Sequence, residues 1–449
     1  MSQFLSMFSS AGPESFSKMA CQVAPYFSTI NPLVTDLRKG SATVQVPFAR
    51  EITNHLGTVH AIAMCNAAEL AEIGAAEVRI TDYGAVLATI PATAPGPVIG
   101  LLAHVDTAPA FAAQGVKPVV HRGYNGGAIT FADAPDLLLS PEISPYLAEK
   151  LGEDIITASG TTLLGADDKA GVAILMTAAR HLLAHPEIPH PTLRIAFTPD
   201  EEIGRGVDAR LPKDLGADFA FTFDGAKPGE IEFESFSADG AVVKITGISA
   251  HPGYAKGKLV NALHLAADFL NAVRALQARV AESGHRDGDY DVPYSTIHVG
   301  KMAGGVQVNI VPNTATLDFE IRSLAEDDPE TLIADLRAAT EAIVAPLRAT
   351  FPEAEIRVER LWDYPGLGTP SDAAVVNFVK GLTGANGTIK VAFGTEGGLF
   401  AQHLGIPTVI CGPGSMAQGH KPDEFVTVEQ MARGAAMLDA LLARCEAGF

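Results

Sequence analysis

The sequence is poor in cysteine, and its few cysteines are scattered. Four are present in 449 residues (Cys21, Cys65, Cys411 and Cys445), and no two of them form a C-x-x-C pair. A framework of disulfide bonds is therefore not expected, and the pattern favours a reducing compartment.

Basic residues and long apolar runs are also scarce. The chain has 32 Lys and Arg against 52 Asp and Glu, which gives a formal net charge of −20. This acidity argues against nucleic acid or an anionic membrane as a partner. No segment offers the ~18 unbroken apolar residues that a membrane span needs, and the N-terminus lacks the basic start and apolar core of a secretory signal. We expect a cytoplasmic protein with neither kind of partner.

What the sequence does contain is an alternation of apolar strands and helices. The runs 98–106, 192–202 and 218–226 read as buried strands, and 171–183 reads as a helix. This alternation predicts an α/β fold with a mostly parallel central sheet. In such a fold, ligands bind beyond the carboxyl ends of the strands.

A second domain is predicted to interrupt the first, since the length allows two or three domains. Residues 237–364 follow a β-α-β-β-α-β order, which predicts a separate small antiparallel sheet with two helices. The first domain then comprises 1–236, with an irregular extension up to Val46, and 365–449. We also expect a helix over 48–73 and an exposed polar loop over 282–293.

Paired acidic residues occur at two strand-to-helix junctions of the first domain. Asp167 and Asp168 lie in a turn that opens a helix, where neighbouring carboxylates repel and a cation normally stabilises at least one of them. Glu201 and Glu202 follow a strand, an arrangement that suits a metal ligand beside a general base. Taken alone, the first pair is more often a helix cap and the second more often a solvated turn.

Further candidate ligands occur at the ends of other predicted strands. His104 is followed at a spacing of two by Asp106, and a metal-binding histidine usually donates its other N–H to a carboxylate. Asp224 ends an apolar run, where an unpaired acid would be costly, and His420 lies in a glycine-rich loop. The candidate ligands fit two Zn²⁺ ions that share one aspartate better than a single structural zinc, which would favour cysteines; they are His104, Asp167, Glu202, Asp224 and His420.

The motifs around these residues resemble one family. In chain order they read AHVDTAP, TLLGADDKAGVA, FTPDEEIGRG, FTFDGA and SAHPGYAKGKLVNAL. They resemble the M20 metallopeptidases, and among these the tripeptide aminopeptidases, over about 98–265. The resemblance implies a zinc-peptidase-like catalytic domain with an inserted ferredoxin-like α+β lid. It implies an enzyme that cleaves the N-terminal peptide bond of short peptides, with two Zn²⁺ per chain and Co²⁺ or Mn²⁺ as substitutes.

The resemblance also assigns a role to each candidate ligand. His104 and Asp224 would hold one zinc, and Glu202 and His420 would hold the other. Asp167 would bridge the two ions.

Further residues are assigned roles around the metals. Asp106 would orient His104, and Glu201 would be the general base. His251, in the lid, would reach into the active site of a partner subunit and polarise the substrate carbonyl, which implies a homodimer through the lid. Asn309 and Arg322 match lid positions that contact the substrate or its carboxylate.

Two alternatives remain open at this point. Beyond about residue 290 the sequence is closer to the broader M20 pattern, so a carboxypeptidase, a dipeptidase or an N-acyl-amino-acid deacylase is the nearest rival. A non-catalytic peptide-binding protein on the same fold is the second rival. Glu201 argues against it, because a binding protein has no need of a base beside the metals.

Overall fold

The chain divides into two compact units. Unit 1 comprises Met1–Ile231, Asn377–Asn386 and Ile410–Phe449, and unit 2 comprises Glu232–Val376 and Gly387–Val409. The predicted lid, 237–364, falls within unit 2, and its boundaries remain a prediction. The computed structural model describes residues 2–23, 33–38, 41–45, 61–203, 208–225, 231–254, 256–383, 388–392, 394–403, 405–413 and 418–446.

Within these residues, helices and strands are numbered in chain order. The α-helices are α1 Ser2–Val23, α2 Ala61–Glu72, α3 Ala166–Ala184, α4 Leu211–Leu215, α5 Ala262–Ser283, α6 Pro329–Arg348, α7 Ala374–Thr383, α8 Gly397–His403 and α9 Val428–Glu446. Short 3-10 turns occupy Pro145–Lys150, Glu201–Ile203 and Pro252–Tyr254. Of the helices in the described part of the chain, none is both long and apolar enough to cross a membrane.

The strands fall into several sheets. They are β1 Leu33–Arg38, β2 Ser41–Gln45, β3 Ala76–Ile80, β4 Val86–Ile90, β5 Ile99–His104, β6 Val119–His121, β7 Ile129–Phe131, β8 Ala134–Leu139, β9 Ile155–Thr157, β10 Leu193–Thr198, β11 Phe219–Thr222, β12 Ile231–Ser235, β13 Ala238–Thr246, β14 Thr296–Gly304, β15 Thr314–Arg322, β16 Glu355–Tyr364, β17 Thr388–Val391, β18 Thr408–Ile410 and β19 Phe425–Thr427.

The main sheet of unit 1 is mixed. Its strands follow the order β11-β5-β10-β4-β3. Strands β11 and β10 run parallel to β5 on either side, and β4 pairs antiparallel with both β10 and β3. Every residue of β5 and of β4 is buried, which explains the unbroken apolar run that leads to His104 in β5. Helix α3 packs on β5, and α9 packs on α3.

The N-terminal region is more regular than the sequence predicts. The expectation of irregular chain up to Val46 is wrong, because α1 is helical and β1 pairs with β2 as an antiparallel hairpin. Gly12 and Pro13 lie inside α1, where the helix is kinked, and these residues conceal its pattern. Of the helix predicted over 48–73, the part before residue 61 lies outside the described residues, and α2 accounts for the rest.

Small sheets that the sequence does not predict lie between β5 and α3 in the chain. Strand β9 pairs antiparallel with β6 and with β19, which comes from the far end of the sequence. Strands β7 and β8 form a separate hairpin. Tyr124, Phe131, Leu139 and Phe425 are members of one buried cluster beneath these strands. The pairing with β19 therefore anchors the segment just before α9 in unit 1.

Unit 2 contains the predicted β-α-β-β-α-β arrangement. Its four-stranded sheet has the order β14-β15-β13-β16, and all pairings are antiparallel. Helices α5 and α6 pack against it and against each other, over a core that includes Val243, Phe269 and Leu317. Asn261 and Asp328 accept backbone N–H bonds at the starts of α5 and α6, which satisfies helix-end donors. In the same unit, β17, β12 and β18 lie side by side.

The loop 282–293 of unit 2 is not simply exposed, as the sequence predicts. Tyr290 is only 4% exposed, and its ring packs on Phe236 while its hydroxyl donates to Glu234. Lys390 Nζ lies 2.6 Å from Asp287 of this loop and 3.0 Å from Glu234. A tyrosine side chain can be buried even in an otherwise polar segment when its hydroxyl has a hydrogen-bond partner.

Candidate metal centre

The ends of three neighbouring parallel strands form the base of the site. His104 is the last residue of β5, and it pairs in register with Thr198, the last residue of β10. The turn Glu201–Ile203 begins three residues after the end of β10, and Asp224 comes two residues after the end of β11. Since parallel strands end at one edge of a sheet, the polar residues that follow these strands are brought together.

Asp106 connects two of these strand ends. Its carboxylate oxygens accept hydrogen bonds from the backbone N–H groups of Glu201 and Glu202, each at 3.1 Å. Its Oδ1 also lies 3.3 Å from Nδ1 of His104. Asp106 therefore fixes the turn that carries both glutamates and lies against one ring nitrogen of His104, whose other nitrogen faces the site.

Asp167 lies between the two histidines. Its Oδ1 is 2.9 Å from Nε2 of His104, and its Oδ2 is 3.2 Å from Nε2 of His420. His420 Nε2 also lies 2.9 Å from Oε2 of Glu202, and His104 Nε2 lies 4.0 Å from Oδ2 of Asp224. Each oxygen of one carboxylate thus faces a different histidine, and each histidine has a further carboxylate beside it.

The charges of this cluster are strongly coupled. Burial by itself raises the pKa of Asp167, but hydrogen bonds with His104 and His420 outweigh it and hold the pKa well below the usual range. Burial and the neighbouring charge of Asp167 raise the pKa of Asp224 to about 6. Hydrogen bonds to Asp167 and Glu202 raise the pKa of His420 to about 10. A bound cation would compete with protons for the same ring nitrogens and carboxylate oxygens, so metal binding is expected to release protons.

The donor atoms fit a divalent cation. Ligand atoms of His104, Asp167 and Glu202 all lie within 4.8 Å of one another. Oε1 of Glu202 is buried, and among the described residues it has no hydrogen-bond partner. These donors are imidazole nitrogens and carboxylate oxygens, with no thiolate. Such a set is more typical of a catalytic site for zinc, cobalt or manganese than of a structural zinc site.

The remaining predicted site residues are placed as follows. Glu201 begins the turn held by Asp106, and its charge is near enough to raise the pKa of His104. His251, Asn309 and Arg322 belong to unit 2, where the first two are exposed and Arg322 forms an ion pair of 2.8 Å with Glu320. Their roles toward a substrate stay predictions.

Two buried carboxylates near the cluster were not predicted as site residues. Asp168 is 2% exposed and accepts hydrogen bonds of 3.2 Å from the N–H groups of His104 and Gly171. Asp168 lies three residues before Gly171 at the start of a helix. This spacing is typical of a helix cap, and it could have predicted the hydrogen bond between the two residues. Glu424 accepts from the N–H groups of Gly165 and Ala166, and no local pattern relates positions so far apart in the chain.

Two family models match the chain. The model described as the peptidase dimerisation domain of the M20 group matches residues 233–347. A second model, described only as a domain of unknown function, matches residues 12–91.

Known proteins resemble the chain over most of its length. A peptidase T of an Exiguobacterium species is 35% identical over 381 residues, which cover 82% of this chain and 87% of that protein. The crystal structure of aminopeptidase PepT from Bacillus cereus matches with a TM-score of 0.64 and 26% identity, covering 86% of this chain and 93% of that one. A tripeptidase from Staphylococcus aureus has the same fold, with a TM-score of 0.64, 23% identity and coverage of 88% and 95%.

The mixed α/β unit with a carboxylate–histidine cluster at its strand ends, together with the match to the dimerisation domain, defines an M20 metallopeptidase. The chain belongs to the peptidase T family of metal-dependent aminopeptidases. The family and the fold class inferred from the sequence motifs are thereby confirmed.

Proposed function

We propose that the chain hydrolyses the N-terminal peptide bond of short peptides, with tripeptides as preferred substrates, and that two Zn²⁺ ions serve the reaction. The observation that carries this proposal is the position of Asp167, whose two oxygens lie 2.9 Å and 3.2 Å from two different histidines. A carboxylate in this position can serve two cations at once, and dinuclear sites of this kind occur in aminopeptidases.

The carboxylates beside each histidine support an assignment of the residues that would hold each ion. His104 and Asp224 would hold one ion, Glu202 and His420 would hold the other, and Asp167 would contact both. When bound, the two cations supply Lewis acidity that polarises the scissile carbonyl and lowers the pKa of a water molecule. Co²⁺ or Mn²⁺ can replace Zn²⁺ in such a donor set.

The chain's own groups would carry the protons. Glu201 accepts a proton from the attacking water and donates it to the leaving amine, which is general base and general acid catalysis by one residue. Asp106 supports this role, because its hydrogen bond to the backbone of Glu201 fixes the turn on which the base lies. His251 would donate a hydrogen bond to the carbonyl oxygen of the substrate as negative charge develops there. Asn309 and Arg322 would bind the rest of the peptide.

Assembly of the enzyme as a homodimer through unit 2 forms part of the proposal. The match to a peptidase dimerisation domain covers residues 233–347 of this unit. In the described part of its four-stranded sheet, β14 and β16 are edge strands, and edges of this kind can be extended by a two-fold partner. In such a dimer, His251 would act in the active site of the other subunit.

We place the enzyme in the cytoplasm, with small peptides as partners and no nucleic acid or membrane. Within the part of the chain that the structure describes, neither Cys65 nor Cys411 forms a disulfide bond. A net charge of −20 opposes binding to phosphate-rich surfaces.

A panel of peptides tests the substrate assignment. The zinc-loaded chain is incubated with a tripeptide, its N-acetylated form and the corresponding dipeptide, and the released amino acids are identified. We expect rapid release of the N-terminal residue from the free tripeptide and little or no cleavage of the acetylated one. Preference for acetylated substrates, or release of the C-terminal residue, would instead support a deacylase or a carboxypeptidase. Peptide binding without any cleavage would support the non-catalytic alternative.

A further inference from the structure

The turn that leads into Asp167 is held by a carboxylate from a distant part of the chain. Glu424 is only 3% exposed. Its Oε2 accepts a hydrogen bond of 2.7 Å from the N–H of Gly165, and its Oε1 accepts bonds of 2.7 Å and 3.3 Å from the N–H groups of Ala166 and Asp167. Three consecutive backbone donors therefore converge on one side chain.

These contacts explain how a carboxylate can be buried here. An unpaired charge in this position would be costly, and hydrogen bonds to the charged form reduce that cost. The three donors lie in the turn that leads into α3, where Asp167 and Asp168 are not helical. The interaction thus requires a side chain with two acceptor oxygens.

Glu424 is itself fixed on both sides. The next residue, Phe425, begins β19 and pairs with Thr157 of β9. On the other side, the N–H of Glu424 donates a 3.0 Å hydrogen bond to the carbonyl of Lys421, which directly follows His420. One residue therefore connects the segment that carries His420 to the turn that carries Asp167.

We infer that Glu424 is a positioning residue of the metal centre, which sets the Asp167 carboxylate relative to His420 so that its two oxygens can face two cations. This inference rests on the proposed two-metal function. We do not assign Glu424 as a metal ligand, because both of its oxygens accept hydrogen bonds from the backbone N–H groups of residues 165–167.

The variant Glu424→Gln tests the inference. The amide keeps the size of the side chain but presents an NH₂ group to backbone N–H donors, so part of the turn loses its acceptor. We expect the affinity for Co²⁺ to fall by about 10- to 100-fold, the usual effect of removing a group that supports metal ligands. The absorption spectrum of bound Co²⁺ should change, and at saturating metal kcat should fall more than KM changes.

A matched control is Glu429→Gln. The Glu429 carboxylate also accepts a backbone hydrogen bond, of 3.3 Å from the N–H of Asp154, but it contacts none of the candidate ligands. The Glu429→Gln variant should have the same Co²⁺ affinity, Co²⁺ spectrum and kcat as the unmodified chain. Glu424→Asp keeps the charge on a shorter side chain, and should fall between the unmodified chain and Glu424→Gln in Co²⁺ affinity.

The outcomes are distinct. If folded Glu424→Gln binds Co²⁺ with unchanged affinity and spectrum, the inference is overturned. A lower melting temperature alone would show only that Glu424 stabilises the fold. If Glu424→Gln does not fold, the Glu424→Asp variant decides by the same two measurements. An unmodified chain that binds two ions yet cleaves no tripeptide would contradict the proposed function, and the comparison of Co²⁺ binding among the variants would still stand.

Discussion

Replacing Glu201 by glutamine is expected to lower kcat for a free tripeptide by about a thousandfold or more while both metals stay bound. The amide cannot accept a proton at neutral pH, so the same substitution removes the base that activates water and the acid that protonates the leaving amine. The turn should survive, because Asp106 binds the backbone N–H of Glu201, which the substitution leaves in place.

The measurement pairs steady-state kinetics with elemental analysis of the same preparation. Glu187→Gln is the control, since its carboxylate is exposed, lies beside His185 and contacts none of the candidate ligands. That variant should retain full activity. A Glu201→Gln chain that holds its metals and turns over at a nearly normal rate would show that another group is the base.

Replacing Asp167 by alanine is expected to remove metal from both positions and, with it, activity. Its two oxygens face different histidines, so the substitution takes one ligand from each ion. Metal binding stabilises the folded state by an amount that grows with the logarithm of the affinity. The rise in melting temperature that zinc gives the unmodified chain should therefore also shrink.

Elemental analysis and thermal unfolding with and without zinc measure this effect. The control Asp136→Ala removes an exposed carboxylate from β8, and its metal content should be unchanged. Two metals per chain in purified Asp167→Ala would mean that this residue does not bridge them.

Much of the fold could be predicted because its signals are local. Strand β5 is buried on both faces, and its sequence is an apolar run that ends in a polar residue at the site, His104. The antiparallel sheet of unit 2 follows from alternating patterns such as that of β15, whose exposed and buried residues alternate along Thr314–Arg322.

The features that escaped prediction depend on contacts between distant segments. Strands β6 and β9 are three residues long, too short for a periodic signal, and β9 is paired with β19 from the far end of the chain. The burial of Tyr290 depends on Glu234 and Phe236, which lie in another part of unit 2. Glu424 binds a turn whose residues precede it by more than half the chain.

The proposed function depends on one carboxylate, that of Asp167, being shared by two cations. The most direct measurement is anomalous diffraction at the zinc absorption edge from crystals of the zinc-loaded enzyme. If Asp167 is shared, we expect two zinc peaks per chain about 3.5–4 Å apart, one beside His104 and one beside His420, with Asp167 in contact with both. A single peak, or two peaks of which only one contacts Asp167, would contradict it.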